Sequence, residues 1–257
     1  MAQTPAEAFS LAERVAIVTG AGGGLGHGIC DSLAAAGATV IAAGRTQESL
    51  DDTVAIITGN GGKAVARVCD ASNQDEIEAL MKSVADEFGR IDILINNAAI
   101  YPRREWTEIT AESWDEVMAT NLKGYFLCSR AAFPYLKANG TGRIINIASI
   151  TFFGGWSMLL DYVTSKGGIV GFTRALAREI GPDGVTVNAI SPGAFPTDAE
   201  KIHPNQDAYN QMVLDSQSVK RRGTANDIGN LAVFLSSDGA SFITGQLVQI
   251  DGGWVMH

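Results

Sequence analysis

Apolar positions along this chain fall into two kinds of stretch that alternate from one end to the other. Short continuous runs rich in β-branched residues occur at Val15–Thr19, Thr39–Ala43, Ala64–Val68, Ile91–Ile95, Arg143–Ala148, Val185–Ile190 and Gln246–Ile250. Between them, segments near 25–36, 47–58, 73–88, 111–137, 162–180 and 226–236 space their apolar residues at helical intervals. Strands that are apolar on both faces are covered on both faces, so the pattern predicts an α/β fold with a doubly wound parallel sheet of about seven strands and helices on both sides. Gly37 stands where the first of these helices should end, and Thr46 and Ser72 stand where the next two should begin. No Pro/Ser-rich linker, charge block or internal repeat interrupts the rhythm, so residues 1–257 read as one domain. The stretch from Ser191 to Arg222 alone breaks it, carrying prolines, His203 and Tyr209 without strand periodicity. A long insertion of this kind predicts a lid over a site, at about 195–220, with residues 195–215 poorly ordered until a ligand binds.

Composition narrows the function classes. With 46% hydrophobic and 18% charged residues the chain can bury a large core. Its formal charge of −9 argues against nucleic acid or an anionic membrane as partner. Cys30, Cys69 and Cys128 are far apart and form no CxxC pair, so they read as buried thiols, with no disulfide framework and no metal site. Met1–Arg14 contains Glu7 and Glu13 and lacks an apolar h-region, unlike a signal peptide, and no apolar run of about 18 residues occurs. A cytoplasmic location is expected.

The first strand runs from Val15 to Thr19 into a turn carrying Gly20, Gly22, Gly23, Gly24, Gly26 and Gly28, and then into a helix that begins at about Leu25. Glycines let the backbone approach a pyrophosphate, and the helix start supplies free N–H groups and the positive end of its dipole. The spacing is GxxxGxG, as Gly20/Gly24/Gly26 or as Gly22/Gly26/Gly28, and the end of the strand at Thr19 favours the first register. At the tip of the second strand, where a reader of NAD places a carboxylate, this chain has Gly44 followed by Arg45. Arg45 can clamp a 2′-phosphate, so NADP(H) is favoured, with NAD(H) left possible because the turn itself holds no second cation.

Tyr162 and Lys166 lie at i and i+4, on one face of a helix, where a nearby ammonium favours phenolate and lowers the phenol pKa. Thr19-Gly20, Gly24, Gly26, Asn96-Asn97-Ala98, Asn121, Ser149, Tyr162, Lys166, Pro192-Gly193 and Thr197 occur in this order, and Ser149 stands thirteen residues before Tyr162. In that set and order the chain resembles the short-chain dehydrogenase/reductase family, from Leu11 to Asp251-Gly252-Gly253.

The resemblance implies a Rossmann-type domain that interconverts a hydroxyl and a carbonyl with NAD(P). It assigns Tyr162 to proton transfer and Ser149 to polarising the carbonyl oxygen. Lys166 would bind the nicotinamide ribose and lower the Tyr162 pKa, and Asn121 would hold a relay water. On the cofactor, Gly20, Gly24, Leu25 and Gly26 would form the turn, Asp70 would meet the adenine, Asn97 would line the cleft, and Pro192, Gly193 and Thr197 would hold the carboxamide. It also implies a homotetramer built on the helices at 111–137 and 162–180.

The chain departs from the family pattern at Ala99, where a glycine is usual, and at Asp161, which reads as a solvated residue at the start of a helix. Large apolar residues flank the constellation: Ile100, Tyr101, Pro102, Phe152, Phe153, Trp156, Leu159, Phe195 and Trp254. With Phe153 and Phe195 in the pocket beside Ser149 and Tyr162, the substrate is expected to be an aromatic or alicyclic secondary alcohol or ketone. A 3-oxoacyl-carrier-protein reductase, with Arg130 and Arg174 as carrier contacts, and a polyol or sugar dehydrogenase are the alternatives. A non-catalytic nucleotide sensor on the same fold is opposed by the intact Ser149/Tyr162/Lys166/Asn121 set.

Overall fold

The structure is a computed structural model that describes residues 4–197, 200, 201 and 203–256. In chain order its elements are α1 (Pro5–Phe9), β1 (Val15–Thr19), α2 (Leu25–Ala35), β2 (Thr39–Gly44), α3 (Gln47–Gly59), β3 (Lys63–Val68), α4 (Gln74–Phe88) and β4 (Ile93–Asn96). There follow α5 (Ala111–Met118), α6 (Gly124–Ala138), β5 (Arg143–Ile147), α7 (Thr151–Gly154), α8 (Leu160–Ile180), β6 (Thr186–Pro192), α9 (Gln206–Ser216), α10 (Ala225–Ser236) and β7 (Leu247–Ile250).

The seven strands form one parallel sheet in the order β3-β2-β1-β4-β5-β6-β7, a Rossmann-type arrangement. β1, β4, β5 and β6 sit in the middle and are almost wholly buried, which is why they read as unbroken apolar runs. Each face of the sheet carries its own core. One is built on Ile29 and Leu33 of α2 with Ile228 and Leu235 of α10, the other on Ile77, Leu80 and Val84 of α4 with Leu127 and Leu136 of α6. The strand order reverses at β1, between β2 and β4, so the crevice at the carboxyl ends of these strands is where a ligand is expected. The glycine turn, Asn97 and Ser149 all follow those strand ends.

The structure departs from the sequence expectations in several places. α4 is capped by Asn73, whose side chain accepts from the N–H groups of Asp75 and Glu76, while Ser72 bonds instead to Asp70. The helix expected at 111–137 is broken by a π turn at Ala119–Lys123. Within the segment expected to be a lid, α9 is a regular helix of 11 residues capped by Asn205, where disorder is the expectation without ligand. Residues 198, 199 and 202 of that segment, like Met1–Gln3 of the N-terminal stretch and His257 at the end of the expected domain, lie outside the described residues. Among the described residues no helix is long and apolar enough to cross a membrane. All three cysteines are free and buried, and burial pushes Cys69 and Cys128 up to about 12.

Candidate active site

The site begins where β1 ends. Gly20 and Gly24 both have positive φ, +64° and +55°, which only glycine adopts at little cost, and α2 starts at Leu25. A Cβ on Gly26 would lie 2.3 Å from the Gly20 carbonyl oxygen, and one on Gly20 would lie 2.8 Å from the Ala98 Cα. Gly22 and Gly28 are as crowded, each at 2.4 Å from a neighbouring side chain, so it is the positive φ of Gly20 and Gly24, absent at Gly22 and Gly28, that favours the Gly20/Gly24/Gly26 register. Asn97, just past β4, donates through Nδ2 to the carbonyls of Thr19 and Gly20, both at 3.0 Å, and its N–H donates to the Thr19 hydroxyl. The turn is thereby tied to the neighbouring strand. Its bare inner face at the helix N-terminus suits a dinucleotide pyrophosphate.

Arg45 and Asp70 stand further along the crevice and are not among the residues lining the cavity around Tyr162. Burial raises the Asp70 carboxyl, but hydrogen bonds from Ser72 and the Arg45 charge outweigh it and hold the group below its usual range. The two residues therefore share one electrostatic neighbourhood, with the Arg45 side chain in solvent.

β5 ends at Ile147, and two residues on, the Ser149 hydroxyl accepts from the N–H and hydroxyl of Thr151 at 3.2 and 3.0 Å. It also hydrogen-bonds the Tyr162 phenol from α8. One turn along α8, Lys166 is 1% exposed, and its Nζ donates to the Ile147 carbonyl at 2.7 Å and to the Tyr125 hydroxyl at 3.5 Å. The ammonium lies 5.4 Å from the ring centre of Tyr125 and 5.5 Å from that of Tyr162, held between two phenols. Burial pulls Lys166 down to about 7. Burial and the nearby Tyr101 push Tyr162 above its ordinary value, and only the Ser149 bond opposes them. The depression of the phenol by Lys166 expected from the i, i+4 spacing is thus not what this geometry produces, because desolvation acts on both groups.

Asn121 lies in the π turn between α5 and α6 and is fully buried. Its Oδ1 accepts from the Ile100 N–H at 2.8 Å, and its Nδ2 donates to the Ile100 carbonyl and to the Ser165 hydroxyl at 2.9 and 3.2 Å. The amide hydrogens are therefore spent on clamping the loop after β4 to α8, and the implied relay water is not held by them.

Asp161 is not solvated as expected but 0% exposed. Its Oδ1 accepts from the Tyr162 N–H at 2.8 Å, and its Oδ2 lies 3.5 Å from Arg104. Arg104 also donates its backbone N–H to the Met158 carbonyl, so the loops before and after the site are tied together.

A cavity of about 310 Å³ opens from this constellation. The predicted residues Gly20, Gly24, Leu25, Asn97, Ser149, Tyr162, Lys166, Pro192, Gly193, Phe195 and Thr197 line it, whereas Gly26, Asn121 and Phe153 do not. Phe153 instead packs its ring against Phe152, 5.1 Å away. The outer wall is formed by Tyr101, Trp156, Trp254, Tyr209, His203 and Glu200. Tyr101 meets Tyr162 edge-on at 4.7 Å, Trp156 and Trp254 pair at 5.2 Å, and His203 stacks on Tyr209 at 3.8 Å. Glu200 pairs with Arg222, which also donates to the Ala194 carbonyl and to Asn210. No motif or spacing in the sequence pointed to Glu200.

A family profile described as enoyl-(acyl carrier protein) reductase matches residues 20–255. The chain is 38% identical over 246 residues to the short-chain reductase protein NovJ of Streptomyces niveus, covering 94% of each. It is 36% identical over 251 residues to the 2-dehydro-3-deoxy-D-gluconate 5-dehydrogenase of Bacillus subtilis (strain 168), covering 97% of each. A crystal structure of a gluconate 5-dehydrogenase from Burkholderia cenocepacia J2315, in complex with NADP and tartrate, superposes with a TM-score of 0.92 at 27% identity and covers 98% of each chain.

Proposed function

The chain belongs to the short-chain dehydrogenase/reductase family of NAD(P)-dependent oxidoreductases, and from that premise we propose that it interconverts an aromatic or alicyclic secondary alcohol and its ketone. The observation that carries this reading is one cavity in which Ser149, Tyr162 and Lys166 meet a wall of Tyr101, Trp156 and Trp254.

The bound nicotinamide supplies the two-electron exchange with the carbinol carbon, and the protein does the rest. The Ser149 hydroxyl, fixed by Thr151, orients the substrate oxygen and donates to it as charge builds up there. Tyr162 gives or takes the proton on that oxygen, and a phenol kept neutral by burial is ready to donate in the reducing direction. Lys166 hands the proton on and holds the cofactor ribose, and a group titrating at about 7 can lose and regain a proton under physiological conditions. Asn121 acts by fixing the loop at Ile100 against α8.

The cofactor would be held by Gly20, Gly24, Leu25 and Gly26, with Asn97 behind the turn, Asp70 towards the adenine end, and Pro192, Gly193 and Thr197 towards the carboxamide end. NADP(H) is preferred over NAD(H), because Gly44 leaves the tip of β2 without a carboxylate and Arg45 follows it. Phe195 contributes to the substrate wall, Phe153 reaches it only if the segment rearranges, and residues from about 195 to 220 close over the bound substrate. The protein works as one domain, in the cytoplasm, and as a homotetramer.

Purified protein with NADPH should reduce aromatic and alicyclic ketones. Tyr162→Phe should lower turnover by about 10²-fold or more while cofactor affinity persists. Turnover within a few-fold of wild type would remove Tyr162 from the mechanism, and failure to reduce any such ketone with either cofactor would overturn the substrate reading.

A further inference from the structure

The substrate end of the cavity has an uneven charge. Among the described residues that line it, two side chains carry a formal charge, Lys166 and Glu200. Lys166 has its ammonium on the Ile147 carbonyl at the end of β5 and between the rings of Tyr125 and Tyr162, and in the proposed function it serves the cofactor ribose. The charge left to the substrate is therefore the Glu200 carboxylate. Glu200 stands one ring away from the reacting phenol, since Tyr101 touches Tyr162 edge-on and is close enough to Glu200 to feel its charge.

The counter-ion does not reach into the cavity. Arg222 is not among the lining residues, and both its terminal nitrogens are taken, one by Asn210 and the other by Glu200 and the Ala194 carbonyl. Arg103 acts on Tyr101 and His203 from the rim, with its Nη2 on the Met158 sulfur. Arg222 is thus spent on other partners, and Arg103 does not line the cavity. Glu200 itself is 12% exposed at the side chain, and besides Arg222 it is hydrogen-bonded by Tyr209. A carboxylate has about four lone-pair sites, so acceptor capacity remains for a donor on the substrate.

We infer that Glu200 is a specificity-determining residue that selects substrates presenting a hydroxyl or other hydrogen-bond donor to the outer wall and disfavours those presenting a carboxylate. This rests on the alcohol–ketone reading above and deepens it. A donor meeting a desolvated carboxylate forms a charge-assisted bond, whereas a second carboxylate there meets a like charge with little water to screen it. The selectivity would set this chain apart from a relative named for a sugar acid, the 2-dehydro-3-deoxy-D-gluconate 5-dehydrogenase.

The test uses acetophenones substituted at the 3- or 4-position with hydroxymethyl or carboxylate, reduced with NADPH. Binding of the matching alcohols is followed by calorimetry. In wild type the hydroxymethyl compounds should exceed the carboxylates by about tenfold or more in kcat/KM, and the alcohols should bind in the same order. Glu200→Gln should narrow the gap from both sides, speeding the carboxylates and slowing the hydroxymethyl compounds. Carboxylates used as well as hydroxymethyl compounds by the wild type, or a gap unchanged in Glu200→Gln, would overturn the inference. If Glu200→Gln melts early, the wild-type series decides alone. If no ketone is reduced, the alcohol–ketone reading fails, and calorimetry with the matching alcohols on wild type and Glu200→Gln still reports whether Glu200 repels the carboxylate.

Discussion

The two walls of the cavity are made of different material. On the turn side, the surface facing the ligand is largely backbone. Gly20 and Gly24 line it, Gly26 behind them packs main chain against main chain with Gly20, and Asn97 ties the turn to the end of β4. On the other side the surface is side chain. Tyr101, Trp156 and Glu200 come from connections between elements, Tyr209 from α9 and Trp254 from the segment after β7, and they are held by ring contacts and the Glu200–Arg222 pair. A wall of backbone has one solution, so it serves the part of the reaction that a whole family shares. A wall of side chains on connections can change residue by residue without moving a strand, so it is where substrates are distinguished.

The contrast can be broken most directly at Gly26. A methyl there meets backbone atoms at 2.3 and 2.9 Å, which cannot swing aside as a side chain would. Gly26→Ala should cost about 1–3 kcal/mol in stability and weaken NADPH binding by about 10²-fold or more, read by thermal melting and fluorescence titration. Gly23→Ala, with nothing within 4 Å of the added carbon, should leave the melting temperature where it is. Equal behaviour of the two variants would mean that the turn wall is not rigid.

Arg45 sharpens the comparison, because it is an exposed side chain just past the tip of β2. Arg45→Ala should raise the KM for NADPH by about tenfold or more and leave that for NADH nearly unchanged, since a charge-assisted bond to a 2′-phosphate is worth about 1.5–3 kcal/mol. A clear NADH preference in the unmodified protein would show that a bare strand tip is not sufficient for NADP.

A pH-dependent effect belongs to Lys166, which sits between the walls. It titrates at about 7 in the fold against an ordinary 10.5, so between these values the unfolded chain binds more protons. Stability must then rise with pH through that window, by at most about 1.4 kcal/mol per unit. Compared with Lys166→Met, the wild type should gain in melting temperature from about pH 7 to 9, a range below the ordinary tyrosine pKa. Parallel curves for the two proteins would show that Lys166 is charged in the fold.

Most of the sheet could be read from the sequence because buried parallel strands are apolar on both faces and announce themselves as runs. The turn and the Tyr162/Lys166 pair were visible because their spacing is local. What escaped depends on partners distant in the chain. The π turn interrupts a segment whose apolar spacing continues on both sides, and its partner, the backbone of Ile100, is nowhere near in sequence. α9 buries only Val213, so it offers almost no amphipathic pattern to detect. Ser72 and Asn73 are both capable caps, and the choice fell to Asn73 because Asp70 engages Ser72. Asp161 read as solvated because nothing in its neighbourhood reveals Arg104. Glu200 was invisible for the same reason, its meaning being set by Arg222 and Tyr209.

The tie between Arg104 and Asp161 constrains how such a protein can diverge. One member is wholly buried and also accepts the N–H of Tyr162. Losing Arg104 alone strands a carboxylate away from water beside Tyr162, and losing Asp161 alone removes both that partner of Arg104 and the acceptor of the Tyr162 N–H. Neither single step is neutral, so descendants of this chain should keep both residues or replace both, and drift at the mouth of the cavity proceeds in pairs.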